Sequence, residues 1–179
     1  RLVRAERAGE DELILDDHAD DVDGHRVEAL ADPSIGITLL EHGAHRFVLY
    51  LRHNGGGNGD RNRAIVRALL QSRFDERGRL FVITSRRTFS AAQMLIGDLE
   101  KWTFPIFVGE PSASQTNHYG DSALLVLPNH RITLRVSTLW WQWDPRDSRP
   151  WIAVELAAPL TVDAYRTGRD PALEAIAAV

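Results

Sequence analysis

The chain has 179 residues, which corresponds to about one domain and is long enough to enclose a substantial apolar core. Hydrophobic residues make up 44% and charged residues 26% of the sequence, which excludes a disordered or fibrous protein, and no apolar run is long enough to cross a bilayer. The net charge of −4 argues against nucleic-acid binding through overall charge, and the absence of cysteine excludes disulfides, thiolate nucleophiles and cysteine-bound zinc.

The sequence divides into two parts that differ in patterning. Residues 1–40 are polar and weakly patterned, and residues 41–179 alternate apolar runs with loop signals. The first residue is arginine and no leader follows it, so we expect residues 1–40 to be the remainder of an upstream region. The acidic stretch 16–25 lacks the oxygen ligands of a calcium loop at the required positions, which favours a solvated loop over a metal site.

The elements predicted after residue 41 alternate between strands and helices. Short apolar runs bounded by glycine and asparagine indicate buried strands, and mixed segments with an apolar face indicate helices. Asp60 is the expected cap of the first helix, and Asp170 with Pro171 begins the last one. The predicted strands are residues 47–51, 79–84 and 105–108, the predicted helix between the last two is 90–102, and a hairpin joins 123–127 to 131–139.

Strands that alternate with helices through short connections indicate parallel βαβ units. In such sheets, ligands bind at the carboxyl ends of the strands. Three loops follow the predicted strands at that edge, namely residues 52–59, 85–90 and 109–121. We therefore expect any functional site to lie where these three loops converge.

The glycine run at residues 54–58 lacks the lysine and serine or threonine of a phosphate-binding loop, and its spacing does not match a dinucleotide fingerprint. Its exposed backbone N–H groups suit the binding of an oxyanion, although a plain strand-to-helix turn is the alternative. Ser90 stands where a helix begins, so free N–H groups and the helix dipole favour negative charge beside its hydroxyl. The alternative is that Ser90 or Thr88 only caps the helix.

Seven stretches share a resemblance, and they are residues 49–58, 88–93, 108–111, 117–121, 127–129, 151–153 and 168–171. Together they resemble one family, the tail-specific (carboxy-terminal processing) serine peptidases, in the branch also related to tricorn protease and the interphotoreceptor retinoid-binding protein. The resemblance extends over about residues 41–179, with its motifs in the expected order. It implies an α/β fold of the crotonase/Clp-like type, with repeated βαβ units, a mostly parallel core sheet and an added β-hairpin.

The resemblance also implies roles for individual residues. Ser90 corresponds to the nucleophile, and the backbone N–H groups of Gly56 or Gly57 and of Ala91 correspond to the oxyanion hole. In the Ser/Lys members a lysine follows the serine by 25 residues, but this position is Gln115 here, so that dyad is not available. In tricorn-like members the base is a histidine far upstream.

The general base is therefore left open. His118 lies on the third converging loop and imidazole titrates near neutrality, so it is a candidate base, with a histidine bonded to backbone as the alternative. His53 beside the glycines is a second candidate base, with orientation of the loop as the favoured alternative, and Gln115 is a further supporting candidate. Glu155 is a candidate for orienting a histidine, and a salt-bridged carboxylate is the alternative.

Two other features weigh less in the functional argument. Residues 61–87 are rich in arginine, which favours a solvated helix face over a surface that attracts acidic peptides or nucleic acid. The three tryptophans in residues 140–143 are expected to pack in the core or at an edge, with stacking on ligands as the alternative.

The favoured function is a serine-type peptidase that acts on a peptide or protein, with no cofactor, metal or nucleic-acid partner. The alternative is a catalytically inactive relative that binds peptides or apolar ligands, and a crotonase-like acyl-CoA enzyme is weaker because no phosphate-binding signature is present. The resemblance implies an exported protein, whether periplasmic, secreted or attached to the envelope. Oligomeric state and substrate specificity stay open.

Overall fold

The computed structural model describes residues 45–179 and, before them, the backbone of four strands. These strands are β1 (Val3–Glu6), β2 (Glu12–Asp16), β3 (Val27–Asp32) and β4 (Gly36–Thr38). They belong to the same sheet as the strands that follow, through parallel pairing of β2 with the first strand after residue 45. Of the acidic stretch 16–25, predicted as a solvated loop, Asp16 ends β2, and residues 17–25 lie outside the described residues.

Three parallel strands form the centre of the sheet, as the sequence predicts. They are β5 (Arg46–Tyr50), β6 (Leu80–Thr84) and β7 (Ile106–Gly109), paired in the order β7-β6-β5. The helix α1 (Asn62–Leu70) follows β5 and α2 (Ala91–Trp102) follows β6, which completes the predicted βαβ units. A short strand, β10 (Leu156–Ala157), extends the sheet beyond β7 in parallel.

Both faces of the central sheet are covered, which explains why its strands are continuous apolar runs. Phe47, Leu49 and Val82 point to the face that packs on α1 and α2, in a cluster that includes Leu95 and Leu99. The alternate strand residues point to the opposite face, which is covered by α4 (Pro171–Ala177) and lies in a second cluster. That second cluster comprises Val48, Phe81, Ile83, Val108, Ala158, Ala172 and Ile176.

The hairpin is longer than predicted and begins earlier. Its strands are β8 (His118–Val126) and β9 (Thr133–Trp141), which pair in antiparallel register from His118 opposite Trp141 to Val126 opposite Thr133. Residues 118–122 are therefore strand rather than loop, because they pair with the aromatic end of β9. Trp140 and Trp141 are partly exposed rather than buried in the core, so the expectation of core packing is wrong for them.

The helices begin at capping side chains, one of which differs from the prediction. Asp170 caps α4 by accepting hydrogen bonds from the backbone N–H groups of Ala172 and Leu173, as predicted. The cap before α1 is Asn58 instead of Asp60, since the Asn58 side chain accepts from Asp60 N–H at the start of a 3-10 turn, Gly59–Arg61. A further short helix, α3 (Val162–Arg166), is capped by Thr161. Within the described residues, no helix is long and apolar enough to span a membrane.

Candidate active site at the carboxyl edge of the sheet

The three loops at the carboxyl edge of the sheet contact one another through their backbones. Phe89 N–H donates to the Asn54 carbonyl (3.1 Å), which joins the turn after β6 to the glycine loop after β5. Ala113 N–H donates to the Thr88 carbonyl (3.0 Å), which joins the loop after β7 to the same turn. The predicted convergence of loops is thus present, and the turn that carries Ser90 lies at its centre.

Ser90 occupies the N-cap position of α2 with an unusual backbone conformation. Its φ is 57° and its ψ is −124°, a region that non-glycine residues enter at a cost of about 1–3 kcal/mol. Among the described residues, its hydroxyl caps no backbone N–H group, and its side chain is only half-buried. Capping therefore does not account for a serine at this position.

Thr88 holds the turn in place instead of capping the helix. Its hydroxyl donates to the Leu51 carbonyl (2.8 Å) and accepts from Ser85 N–H (3.0 Å), and its side chain is fully buried. At the other end of the turn, Asn62 Nδ2 donates to the Ala91 carbonyl (2.8 Å), which ties α1 to the start of α2. These bonds fix the direction in which Ser90 leaves the sheet.

The glycine loop lies directly against Ser90. A methyl carbon placed on Gly56 would stand 2.5 Å from Ser90 Cβ and 2.9 Å from the Phe89 carbonyl oxygen, closer than such atoms approach in proteins. The φ of Gly56 is +102°, so both the close approach and the backbone conformation require glycine here. The loop backbone and the hydroxyl therefore share one space at the edge of the sheet.

The backbone N–H groups around this space differ in their partners. Gly56 N–H donates to Asn54 Oδ1 (2.9 Å) and is occupied. The N–H groups of Gly57 and Ala91 have no acceptor within the described part of the chain. Ala91 is the first residue of α2, so its N–H lies at the positive end of the helix dipole.

His118, the first residue of β8, lies buried beside this turn. Its ring centroid is 5.2 Å from that of Phe89, the residue before Ser90. Nδ1 lies 3.1 Å from the Thr116 carbonyl oxygen, and because a carbonyl only accepts, Nδ1 carries the hydrogen. The lone pair of the neutral ring is then on Nε2, which is buried without a partner among the described residues.

A turn at residues 144–149 holds the segment that leads into His118. Asn117 Nδ2 donates to the carbonyls of Asp144 (2.6 Å) and Asp147 (2.9 Å). Thr116 Oγ1 donates to Asp147 Oδ2 (2.7 Å), and Arg149 also bonds this carboxylate. The hydrogen bond from Arg149, with a further one from Thr116, holds the pKa of Asp147 well below its ordinary value.

The lowered pKa of Asp147 predicts that part of the stability of the protein is lost in acid. A carboxylate whose folded pKa is lowered stabilises the protein fully above its unfolded pKa of about 3.9, and this stabilisation is lost as pH falls below that value. We expect Asp147→Asn to be less stable than the wild type at pH 7, and the difference to shrink at pH 3. Urea unfolding of both proteins at the two pH values measures it, and Asp60→Asn, an exposed carboxylate, is the control. If the two proteins differ in their free energy of unfolding by the same amount at both pH values, the lowered pKa of Asp147 is contradicted.

Among the other predicted site residues, the carboxylate of Glu155 is directed away from Ser90. The Glu155 carboxylate forms an ion pair with Arg77, which precedes β6, so it points towards the amino end of the sheet and away from the edge that carries Ser90. Gln115 is exposed, and His53 is exposed with its ring 6.1 Å from that of Tyr50. Lys101 lies at the far end of α2, where it pairs with Asp144 (3.5 Å).

Two residues of this region escaped the sequence analysis. Arg52 extends from the end of β5 to Asp170, with bonds of 2.7 and 2.6 Å to its two carboxylate oxygens. Gln93, the third residue of α2, is fully buried. The signal for Arg52 was a charged residue directly after an apolar strand, and the signal for Gln93 was an amide in an otherwise apolar helix segment.

Comparison with known proteins shows the fold of the chain. No protein-family model matches the sequence, and no curated protein matches it significantly. A solved structure of a candidate peptidase from Parabacteroides merdae matches 76% of the chain with a TM-score of 0.50 at 15% identity. The chain shares the fold of that protein. At this identity the likeness shows the fold alone, and the parallel sheet with its separate antiparallel hairpin confirms the expected α/β fold class.

Two further solved structures are similar to the chain. One is a candidate S41 protease from Bacteroides fragilis, with a TM-score of 0.45, 18% identity and 72% of the chain covered. The other is the photosystem II D1 C-terminal processing protease, with a TM-score of 0.45, 17% identity and 76% covered. The chain spans 52% of the length of the Parabacteroides merdae protein and 41% and 39% of these two.

Proposed function

We propose that residues 41–179 are the catalytic domain of a serine-type peptidase and that Ser90 is its nucleophile. The observation that carries this proposal is the contact between Gly56 and Ser90, which sets a hydroxyl in a constrained backbone conformation against a glycine loop. A serine at the start of a helix, neither capping it nor fully buried, is free to form a bond to an incoming carbonyl carbon.

The oxyanion is held by two backbone N–H groups in this proposal. When Ser90 Oγ bonds to the carbonyl carbon, negative charge develops on the carbonyl oxygen, and donors already in place stabilise it. The family resemblance gave three candidate N–H donors for the oxyanion hole, those of Gly56, Gly57 and Ala91. Because Gly56 N–H is occupied by Asn54, we assign the role to Gly57 and Ala91.

His118 is the proposed general base. Its Nδ1–H is held by the Thr116 carbonyl, so the lone pair for accepting a proton is on Nε2. The Oγ proton passes to Nε2 as Oγ bonds to the carbonyl carbon, and Nε2 then returns it to the leaving amine as the C–N bond breaks. Water hydrolyses the resulting ester of Ser90. In the structure Nε2 does not bond Ser90, so the two groups must approach when substrate binds.

The substrate class follows from the same proposal. A serine nucleophile with an oxyanion hole suits an acyl-transfer reaction on a peptide or protein substrate. An exported location is carried over from the family resemblance alone.

Labelling with a fluorophosphonate tests the proposal without knowledge of the substrate. We expect one covalent label per chain, located on Ser90 by mass spectrometry and lost in Ser90→Ala, while the neighbouring Ser114→Ala is labelled as the wild type. We expect His118→Ala to label at least about 100-fold more slowly, the typical contribution of a general base. A folded protein that takes no label would favour the inactive, ligand-binding alternative, and an unchanged rate in His118→Ala would remove that histidine as base.

A further inference from the structure

The proposed base is held through the backbone of Thr116, two residues before it. The Thr116 carbonyl accepts the hydrogen bond from His118 Nδ1–H (3.1 Å), and the two residues are buried, with 3% and 5% of their surfaces exposed. The position of this carbonyl therefore determines which nitrogen of the neutral ring carries the lone pair. A group that fixes Thr116 also fixes the form in which His118 can accept a proton.

Asp147 is the side chain that fixes Thr116. Its Oδ2 accepts a hydrogen bond from Thr116 Oγ1 (2.7 Å), so Thr116 is bonded at its hydroxyl as well as at its carbonyl. The backbone carbonyl of Asp147 accepts from Asn117 Nδ2 (2.9 Å), which holds the residue between Thr116 and His118. Asp147 thus bonds both of the residues that directly precede the proposed base, one with its side chain and the other with its backbone.

Asp147 is also connected to α2, the helix that begins after the proposed nucleophile. Arg149 donates to both carboxylate oxygens of Asp147 (3.0 and 2.9 Å) and to both of Glu100 (2.8 and 2.6 Å), near the end of α2. Thr116 Cγ2 lies 3.5 Å from the position that a Cβ of Gly97 would take, so Thr116 packs closely on the same helix. Both the proposed base and the proposed nucleophile are therefore placed relative to α2.

We propose that Asp147 is a positioning residue for His118: its carboxylate holds the Thr116 hydroxyl and so keeps the Thr116 carbonyl where it accepts from Nδ1–H. This contact leaves Nε2 free for the Ser90 proton, because it acts on the opposite nitrogen of the ring. The inference rests on the proposed function, since it names a residue that acts through Thr116 in the reaction of Ser90. Asp147 lies 31 positions after Thr116, so no local sequence pattern links the two.

Replacing Thr116 by valine removes the hydroxyl with little change in shape and leaves Asp147 paired with Arg149. We expect the rate of fluorophosphonate labelling of Ser90 at saturation to fall at least about 10-fold, with little change in the half-saturating concentration, because the base is displaced and the binding groups are not. Thr116→Ser, which keeps the hydroxyl, should retain most of the rate. The matched control is Thr103→Val, at a buried threonine whose hydroxyl donates to a carbonyl at the far end of α2.

A double-mutant cycle places Asp147 in the same chain of contacts. Asp147→Ala should lower the labelling rate as Thr116→Val does, and the two substitutions together should lower it no further, because both remove one hydrogen bond. Circular dichroism establishes that each variant is folded. Effects that multiply in the double variant would mean that Asp147 does not act through Thr116, and the proposal would be wrong.

The tautomer of His118 separates this proposal from the proposed function. In protein labelled with 15N histidine, at a pH where the ring is neutral, we expect the hydrogen of His118 on Nδ1, with the signal assigned by its loss in His118→Ala. Thr116→Val should shift the ring towards the Nε2–H form and Thr103→Val should not, whereas a purely structural contact would leave the tautomer unchanged.

The two readouts together decide between the possible outcomes. A tautomer shift in a folded protein that never reacts with the reagent would retain the placement of His118 by Asp147 and reject the peptidase, and no shift there would reject both. A reactive protein in which Thr116→Val leaves either the labelling rate or the tautomer unchanged would overturn the positioning role and leave the peptidase intact.

Discussion

Replacing Asp170 by alanine is expected to lower the free energy of unfolding by about 3 kcal/mol, because it leaves the Arg52 guanidinium buried without its counter-charge. The Arg52 side chain is 5% exposed and bonds both carboxylate oxygens of Asp170, whose own side chain is 23% exposed. The same carboxylate caps α4, and loss of that cap adds about 1 kcal/mol. Urea unfolding at neutral pH measures the change.

The neighbouring ion pair of α4 provides a matched control. Arg169 and Glu174 also form a two-bond pair, with distances of 2.9 and 2.7 Å, but both side chains are exposed. Glu174→Ala should therefore leave the stability close to that of the wild type. Combining Asp170→Ala with Arg52→Met should recover part of the loss, since the stranded charge is then removed. If Asp170→Ala and Glu174→Ala lower the free energy of unfolding equally, burial does not determine how much an ion pair contributes to stability.

The Arg52–Asp170 pair also shows where sequence analysis reaches its limit. Its members are 118 positions apart, so no local pattern links them. The apolar runs of β5, β6 and β7 could be predicted because burial on both faces requires a continuous apolar sequence, which is a local property. The start of β8 was missed for the converse reason, since polar residues 118–122 become strand only by pairing with β9.

The candidate site also has features that could be predicted from the sequence and features that could not. Residue order predicted that the glycine loop and Ser90 would meet, because the carboxyl ends of neighbouring parallel strands lie at one edge of the sheet. The conformation of Ser90 was not predictable, since serine at this position is ordinarily a cap and the closure of the turn by Thr88 depends on strand β5. The identity of the unoccupied N–H groups likewise required coordinates, because only the structure shows Asn54 bonded to Gly56.

The direction of the Glu155 side chain narrows the possible chemistry. The Glu155 carboxylate is paired with Arg77 and points towards the amino end of the sheet. Glu155 therefore does not give His118 the carboxylate partner that a serine–histidine–aspartate triad has. The ring is held instead by a backbone carbonyl, which fixes its tautomer without adding charge.

The second large effect is expected from Gly56→Ala. The added carbon would stand 2.5 Å from Ser90 Cβ, 2.9 Å from the Phe89 oxygen and 3.0 Å from Ala91 N, and these atoms belong to a turn that is fixed by buried hydrogen bonds. The φ of +102° adds strain of about 1–3 kcal/mol for alanine. Either the loop or the turn must move, and a displacement of about 1 Å can lower reactivity about 100-fold.

The adjacent glycine makes this prediction specific to the contact with Ser90. A Cβ on Gly55 meets nothing within 4 Å, and its backbone needs no positive φ, so Gly55→Ala carries the same chemical change without the clash. Fluorophosphonate labelling should fall at least about 100-fold in Gly56→Ala and remain near wild type in Gly55→Ala, with circular dichroism at 10 °C to establish that both are folded. Equal labelling of the two variants would mean that the glycine loop does not define the space in which Ser90 reacts, and the oxyanion hole would then have to be sought elsewhere along the carboxyl edge of the sheet.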